Sequence, residues 1–296
     1  MNTVKKSVFH KTYGNGTITE HNGDVITVDF SGVEKKFLLP DSFEQAFLST
    51  NDEELSVLIE KLISEKLSKK SQRINMKKSN PILFCNISWM DSYLGETDED
   101  VPQNGGSYVA KNKSCNESLN FLPIIATNDN ETYEKLVLLG SFETKSTNGE
   151  TSNQTHIERI NGCKSLNHSN QADGVTVVWC ATAPSGGTYV VGWYKDATVY
   201  RYYQQMPIDE DDGYSWDRWY NVSCDLEKAV LLPQKERFNK KWWVPRHNQK
   251  KPVTFGFGQA NLWYADGKDA KEFAEKMINN IESYCGENII PVVDKV

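Results

Sequence analysis

The chemistry-bearing residues of this chain form no recognised catalytic pattern. The five histidines are dispersed, at His10, His21, His156, His168 and His247. None stands in an HExxH, HxH or Cys/His spacing that would bind a metal, and no GxSxG sequence marks a nucleophilic serine. The acidic run Asp209–Asp212 contains possible metal ligands, but acids on a glycine-containing loop are typical of a solvated surface. We therefore expect no catalytic residue, no metal and no cofactor.

Aromatic and amide residues point instead to recognition. Reading a flipped or single-stranded base requires ring faces for stacking and a few donors and acceptors that match the base edge. The predicted stacking rings are Trp89, Tyr93, Tyr108, Trp193 and Trp263. The predicted base-edge residues are Ser88, Ser107, Asn120, Asp173, Gln259 and Asn261. The alternative for each ring is an ordinary position in the hydrophobic core.

A basic segment near the carboxyl end of the chain could contact phosphates. Residues 235–251 contain one acid, Glu236, and seven basic residues: Lys235, Arg237, Lys240, Lys241, Arg246, Lys250 and Lys251. Trp242 and Trp243 lie in the middle, where exposed indoles could stack on bases. The alternative is that these indoles cover the core while the lysines are solvated.

Length and composition set wide limits. The chain has 296 residues, 38% of them hydrophobic, and a formal charge of −7, which argues against indiscriminate coating of nucleic acid. The first residues contain no apolar signal region, and no run is long enough to span a bilayer. The six scattered cysteines form no CxxC pair, so free thiols and a cytoplasmic protein are expected, with no membrane partner.

The elements that must position these residues fall into three predicted segments. Residues 1–50 contain short alternating strands with hairpin signals at Asn22–Asp24 and Ser31-Gly32, which predict a small all-β module. Residues 51–79 predict a helical connector with a basic tail, capped by Asn51 or Asp52. Its apolar face, from Leu55 to Leu67, must be covered by the same chain or by a second copy, which leaves a homodimer through 51–67 open.

Residues 80–296 predict a larger domain built around the stretch Asp173–Tyr203. Three apolar runs in this stretch are separated by the turn Pro184–Gly187 and by Lys195-Asp196, so they predict three strands. The stretch contains seven large rings, more than packing alone requires. Alternation along a strand places only about half of them on one face, and Trp193, next to Gly192, is the ring expected to line a site.

Two family resemblances add to these patterns. Residues 1–50 resemble small Tudor-like five-stranded barrels found beside bacterial nucleases and helicases, in His10, Tyr13–Ile18, Val28-x-Phe30 and Lys36-Phe37 followed by Pro40 and Phe43. Such a module usually docks to a partner or to nucleic acid; the alternative is a folded spacer without a ligand.

The larger segment resembles a domain that precedes HNH nuclease modules in bacterial restriction-type proteins. The matching motifs are ILFCNISWMDSY at 82–93, GGSY at 105–108, NF at 120–121, DGVTVVW at 173–179, VVGWYKDATVYRYYQ at 190–204 and GQANLWYAD at 258–266. The resemblance implies a PUA-like mixed β-barrel, related to EVE and YTH readers, with a modified base in an aromatic cage. It would place Trp89, Trp193 and Tyr108 in that cage, with Ser107 and Asn120 near the base edge.

These observations give an α+β fold class: a small Tudor-like barrel, a helical connector and a PUA-like mixed β-barrel with flanking helices. The favoured function is binding of nucleic acid, DNA in particular, through a modified base, as a sensor or specificity subunit in restriction or antiviral defence. Since no catalytic module follows residue 285, cleavage would come from a separate nuclease or effector. A metal-dependent nuclease or nucleotide-processing enzyme with unassigned carboxylates and a protein-interaction scaffold remain as alternatives.

Overall fold

The computed structural model describes residues 3–104, 115–126, 135–144, 154–209, 215–247 and 254–291, without the side chains of 68–79 and Asp209. The chain divides into two compact units, Met1–Ile74 and Asn75–Val296. The fold class is α+β with mostly β structure, as expected. No helix in the described ranges combines the length and apolar composition that a membrane span requires.

The small unit is an antiparallel five-stranded sheet with a helix packed on it. Its elements are β1 (Ser7–His10), β2 (Gly14–Asn22), β3 (Val25–Asp29), β4 (Glu34–Leu38), α1 (Asp41–Glu44), β5 (Leu48–Ser49) and the first part of α2 (Glu53–Ser79). The strands are ordered β4-β3-β2-β1-β5, and the two predicted hairpin turns join β2 to β3 and β3 to β4.

Helix α2 begins as its sequence predicts. The Asp52 carboxylate accepts a hydrogen bond from the Leu55 amide at 2.9 Å and forms an ion pair with Lys6 at 3.0 Å. Leu55 and Ile59 are buried with the sheet residues Ile18 and Val28, so the helix contributes its apolar face to the core of the small unit. The helix is therefore covered by its own chain over these turns, although Val57 and Leu67 remain exposed.

The large unit is organised by one curled sheet. Its strands are β6 (Ile82–Ile87), β7 (Pro123–Ala126), β8 (Lys135–Gly140), β9 (Gln171–Thr182), β10 (Thr188–Asp209), β11 (Ser215–Asp225), β12 (Ala229–Leu231), β13 (Trp243–Val244) and β14 (Leu262–Trp263). The order is β14-β6-β9-β10-β11-β8-β7, and β12 and β13 also pair with β10. The remaining helices are α3 (Gln234–Arg237) and α4 (Lys268–Glu282).

Strand β10 differs from the prediction in one respect. The Pro184–Gly187 turn does join β9 to β10, but Lys195-Asp196 does not end a strand. The chain continues as one strand of 22 residues, with register shifts near Tyr194 and Ala197 and a positive φ of 51° at Asp196. A bulge therefore absorbs the two polar residues and lets a single long strand bend with the sheet.

Each face of the sheet is covered by its own core cluster. Neighbouring residues such as Leu83 and Phe84, or Val177 and Val178, belong to different clusters because successive side chains of a strand point to opposite faces. The amphipathic helix α4 packs on the second face through Ala270, Ala274, Met277 and Ile281. These buried faces stabilise the sheet and fix the strand ends that carry the candidate site.

Candidate functional site

The predicted ring Trp193 is a core residue. It is 1% exposed, and its indole stacks on that of Trp242 with centroids 5.2 Å apart and planes inclined by 30°. Trp263 is buried in the same cluster, 4.7 Å from the ring of Phe84. Since both rings already have aromatic partners beneath the surface, neither presents a free face to a base.

The other two described rings of the predicted cage lie in the cluster on the opposite face. Tyr93 is fully buried and donates a hydrogen bond from its hydroxyl to the Ser88 carbonyl at 2.8 Å. Trp89 is 4% exposed and packs against Phe238, with centroids 5.5 Å apart. Trp89 and Trp193 therefore do not share a cavity, and the cage built from them is a wrong prediction. Tyr108 lies outside the described residues.

The predicted base-edge residues serve other partners. Asn120 is buried, and its amide exchanges two hydrogen bonds with the backbone of Ser141, at 2.9 and 2.8 Å. Asp173 is half-buried and accepts hydrogen bonds from Thr198 and Gln171 within its own sheet. These side chains hold strands together, which overturns their assignment to the edge of a base.

The remaining base-edge candidates are divided between the interior and the surface. Ser88 is fully buried, whereas Asn261 is half-buried and reaches Glu143 only at 3.5 Å. Gln259 is exposed, and Ser107 lies outside the described residues. Because Ser88, Asn120 and Asp173 are occupied, the described members do not assemble into one base-reading edge.

Ser88 instead belongs to a buried polar group that the sequence did not reveal. Its amide and hydroxyl donate to the same oxygen, Oε1 of Glu117, at 2.7 and 2.5 Å. Glu117 is 7% exposed, and no described cation lies within ion-pair distance of it. Burial raises the pKa of Glu117 to about 7, the two Ser88 hydrogen bonds lower it, and the charge of Glu143 raises it further.

The basic segment is also divided between interior and surface. The Arg237 guanidinium is fully buried and donates to the carbonyls of Leu232, Met90 and Asp91 at 2.9, 2.5 and 2.6 Å. All of these donors serve the protein, so the assignment of Arg237 to phosphate binding is wrong. Its role is to tie α3 to the segment after β6.

The other basic residues differ in exposure and in the partners that their side chains contact. Arg246 is half-buried and donates to Thr188 and Asn86, and Lys235 lies 3.7 Å from Glu287. Lys240 and Lys241 are exposed, and neither forms an ion pair with a described residue. Lys250 and Lys251 lie outside the described residues. Both ammonium groups lack an ion-pair partner among the described residues, although that of Lys241 lies over the rings of Trp242 and Tyr284, 4.9 and 5.5 Å from their centroids.

Near these lysines lie three rings that we call the aromatic patch: the exposed Phe238 and Trp243 and the half-buried Tyr189. Trp243 is 43% exposed and pairs directly with Tyr189 across β13 and β10, so their side chains lie on the same face. Tyr189 meets Phe238, which is 47% exposed, edge to face at 5.3 Å. Phe238 also packs against the buried Trp89, with ring centroids 5.5 Å apart, so the core supports this side of the patch.

The turn before β10 makes room for this patch. Gly187 has a φ of 84°, and a Cβ at this position would lie 2.9 Å from Cε2 of Tyr189. A side chain here would displace the tyrosine ring as well as strain the backbone. The glycine pair in Pro184–Gly187 therefore helps to place the Tyr189 ring.

The described residues contain no group of three or more His, Cys, Asp or Glu side chains that could hold a metal ion. The predicted acidic run Asp209–Asp212 lies outside the described side chains. No protein-family model matches the chain, and no curated protein or solved structure resembles it significantly.

Sequence reasoning selected neither Phe238, which is exposed, nor Tyr189, which is half-buried, as a site residue. Phe238 is a single ring among charged residues, a pattern that does indicate an exposed aromatic side chain. Tyr189 could not be separated from the core rings of β10 because a bulge between Val190 and Gly192 shifts the alternation that follows it.

Proposed function

We propose that the large unit binds nucleic acid by stacking unpaired bases on the aromatic patch. The observation that carries this proposal is the exposed ring of Trp243, which lies on the same sheet face as Tyr189, the contact partner of the exposed Phe238. Two nearby lysines, Lys240 and Lys241, have no ion-pair partner among the described residues. The proposal retains the basic segment of the predicted nucleic-acid site. It replaces the predicted stacking rings, which are buried, with rings near the surface.

The chemistry of the patch suits a single strand. Every base has a π face, and each base stacked on an aromatic side chain contributes roughly 1–3 kcal/mol. Lys240 and Lys241 supply positive charge within two or three residues of the rings, where a phosphate backbone would pass. Since the total charge is −7, binding must depend on this local arrangement rather than on general attraction.

Fluorescence anisotropy with labelled single-stranded oligonucleotides tests the proposal. Trp243→Ala and Phe238→Ala should each weaken binding about 5- to 150-fold, the range expected for one lost stack. Trp219→Ala is a matched control, because Trp219 is also 43% exposed but lies on β11, outside the patch.

Salt dependence tests the lysines separately. Replacing Lys240 and Lys241 together with alanine should reduce the slope of log affinity against log salt by about 1.4, as expected for two lost contacts with single-strand phosphates. Equal affinity of the Trp243 and Trp219 variants, or an unchanged salt slope, would contradict the proposal. Retention of a partner protein without nucleic acid at low salt would favour the scaffold alternative.

The finer parts of the proposal concern the ligand and the fold. We propose that the bound base is a modified one, that the protein is a sensor in restriction or defence, and that a separate nuclease or effector acts after binding. The five-stranded order with β5 beside β1 supports a Tudor-like small unit, and the curled mixed sheet supports a PUA-like large unit. Oligonucleotides with methylated, hydroxymethylated or unmodified bases separate these roles, because equal affinity for all of them excludes modified-base reading.

A further inference from the structure

The small unit has a cavity of about 340 Å³ beside an outward-facing phenyl ring. Phe9 is 46% exposed, whereas its neighbour Val8 points into the barrel core. Strand β1 lies between β2 and β5, and Phe9 is directly opposite Asn15 on one side and Ser49 on the other. Because directly opposed side chains share a face, an amide, a ring and a hydroxyl form one row across three strands.

The cavity has a fixed rim. Thr50 donates from its hydroxyl to the Ser7 carbonyl at 2.7 Å and accepts a hydrogen bond from the Asp52 amide at 3.1 Å. The Asp52 carboxylate caps α2 and is paired with Lys6. The only charged residue that lines the cavity is therefore neutralised and held in place by its own structural contacts.

Neutral hydrogen-bonding groups around the ring remain available. The side chains of Ser7, Asn15, Ser49 and Asn51 line the cavity and form no hydrogen bond with a described residue. Two primary amides and two hydroxyls thus surround the exposed face of Phe9. Such a set can both donate to and accept from the edge of a flat uncharged ligand, while the ring stacks on its face.

We propose that this cavity binds an unpaired nucleobase, stacked on Phe9 and contacted at its edge by the amides of Asn15 and Asn51. Its volume falls within the range of about 300–1,000 Å³ typical of small-ligand sites. The turn after β1 carries Lys11, which is exposed and forms no ion pair with a described residue. A cation in the adjoining turn favours a nucleotide over a neutral sugar.

This inference extends the proposed function to the small unit and takes its ligand class from that function. It does not use the aromatic patch, because every residue that lines the cavity lies within Met1–Ile74. A mononucleotide is the appropriate probe, since it can occupy one site without bridging to another.

The test is an NMR titration of the full chain, labelled with ¹⁵N, with thymidine 5′-monophosphate and, separately, ribose 5-phosphate. The nucleotide should shift the amide signals of Phe9, Asn15 and Ser49, whereas ribose 5-phosphate should not. Phe9→Ala should raise the Kd of the nucleotide about 5- to 150-fold. Phe47→Ala is the matched control, because Phe47 is 53% exposed in the same unit but does not line the cavity.

The outcomes separate this inference from the proposed function. Trp243→Ala should leave the shifts in the small unit unchanged even where it weakens oligonucleotide binding. Absence of shifts at Phe9, Asn15 and Ser49, equal shifts with ribose 5-phosphate, or equal effects of Phe9→Ala and Phe47→Ala would overturn the base site. The anisotropy measurements would still test the aromatic patch, because they do not depend on the cavity in the small unit.

Discussion

Glu117 makes the stability of the large unit depend on pH. Its carboxyl is buried, and its pKa is raised from the ordinary 4.5 to about 7, first because burial disfavours the charged form. The folded state therefore binds this proton more tightly than the unfolded state. The resulting stabilisation is complete below about pH 4.5 and is lost as the pH rises through about 7, with a total of about 3 kcal/mol.

Glu117→Gln removes this titration but keeps an oxygen that can accept from the amide and hydroxyl of Ser88. We expect the variant to be within about 1 kcal/mol of the parent at pH 5 and more stable than the parent by about 2–3 kcal/mol at pH 8. Urea unfolding followed by tryptophan fluorescence is the suitable measurement. All eight tryptophans lie at or beyond Trp89, so the signal reports the large unit.

Glu227→Gln is the control for this experiment. It makes the same substitution at an exposed position of the same unit, so it separates the effect of the chemical change from the effect of burial at Glu117. The reasoning is refuted if Glu117→Gln shifts stability equally at pH 5 and pH 8. It is also refuted if the variant is the less stable protein at pH 8.

Three further substitutions test the packing that surrounds the candidate sites. Arg237→Met leaves three carbonyls without their donor, so chemical denaturation should show a free energy of unfolding lower by about 2–4 kcal/mol. The folded fraction of this variant should bind oligonucleotides with the affinity of the parent protein. Gly192→Ala would drive a Cβ into the Val230 carbonyl oxygen and the Phe121 ring, and should cost about 1–3 kcal/mol in the same assay. Asp52→Ala removes the cap of α2 and the Lys6 pair, and should lower the melting temperature of the small unit, followed by helical circular dichroism. Unchanged stability in any of the three contradicts the role assigned to that residue.

Local sequence signals were reliable where the structure depends on local chemistry. The turns at Asn22–Asp24 and Pro184–Gly187 and the Asp52 cap all occur where the sequence predicts them. Turn residues and caps act through their own backbone, so a few neighbouring residues determine them.

Exposure was the property that local signals could not assign. Trp242 and Trp243 are adjacent in a basic segment, yet the first is fully buried and the second is 43% exposed. The exposure of each side chain depends on the pairing of β13 with β10 and on the contact of Trp242 with Trp193. Arg237 is a second example: the sequence predicts a phosphate contact, but the side chain lies in the interior. A guanidinium can donate to either phosphates or carbonyls, and the sequence does not distinguish the two.

The sequence by itself determined that this chain is an α+β protein with a small β module at its start, free cysteines and aromatic residues in excess of simple packing needs. Only the tertiary structure decided which rings face solvent. Strand alternation fixes the two faces of a segment, but bulges in β10 and the helix α4 decide which face is covered. The site candidates therefore moved from Trp193 and Trp89 to the surface around Trp243 and Phe238, and to the cavity beside Phe9.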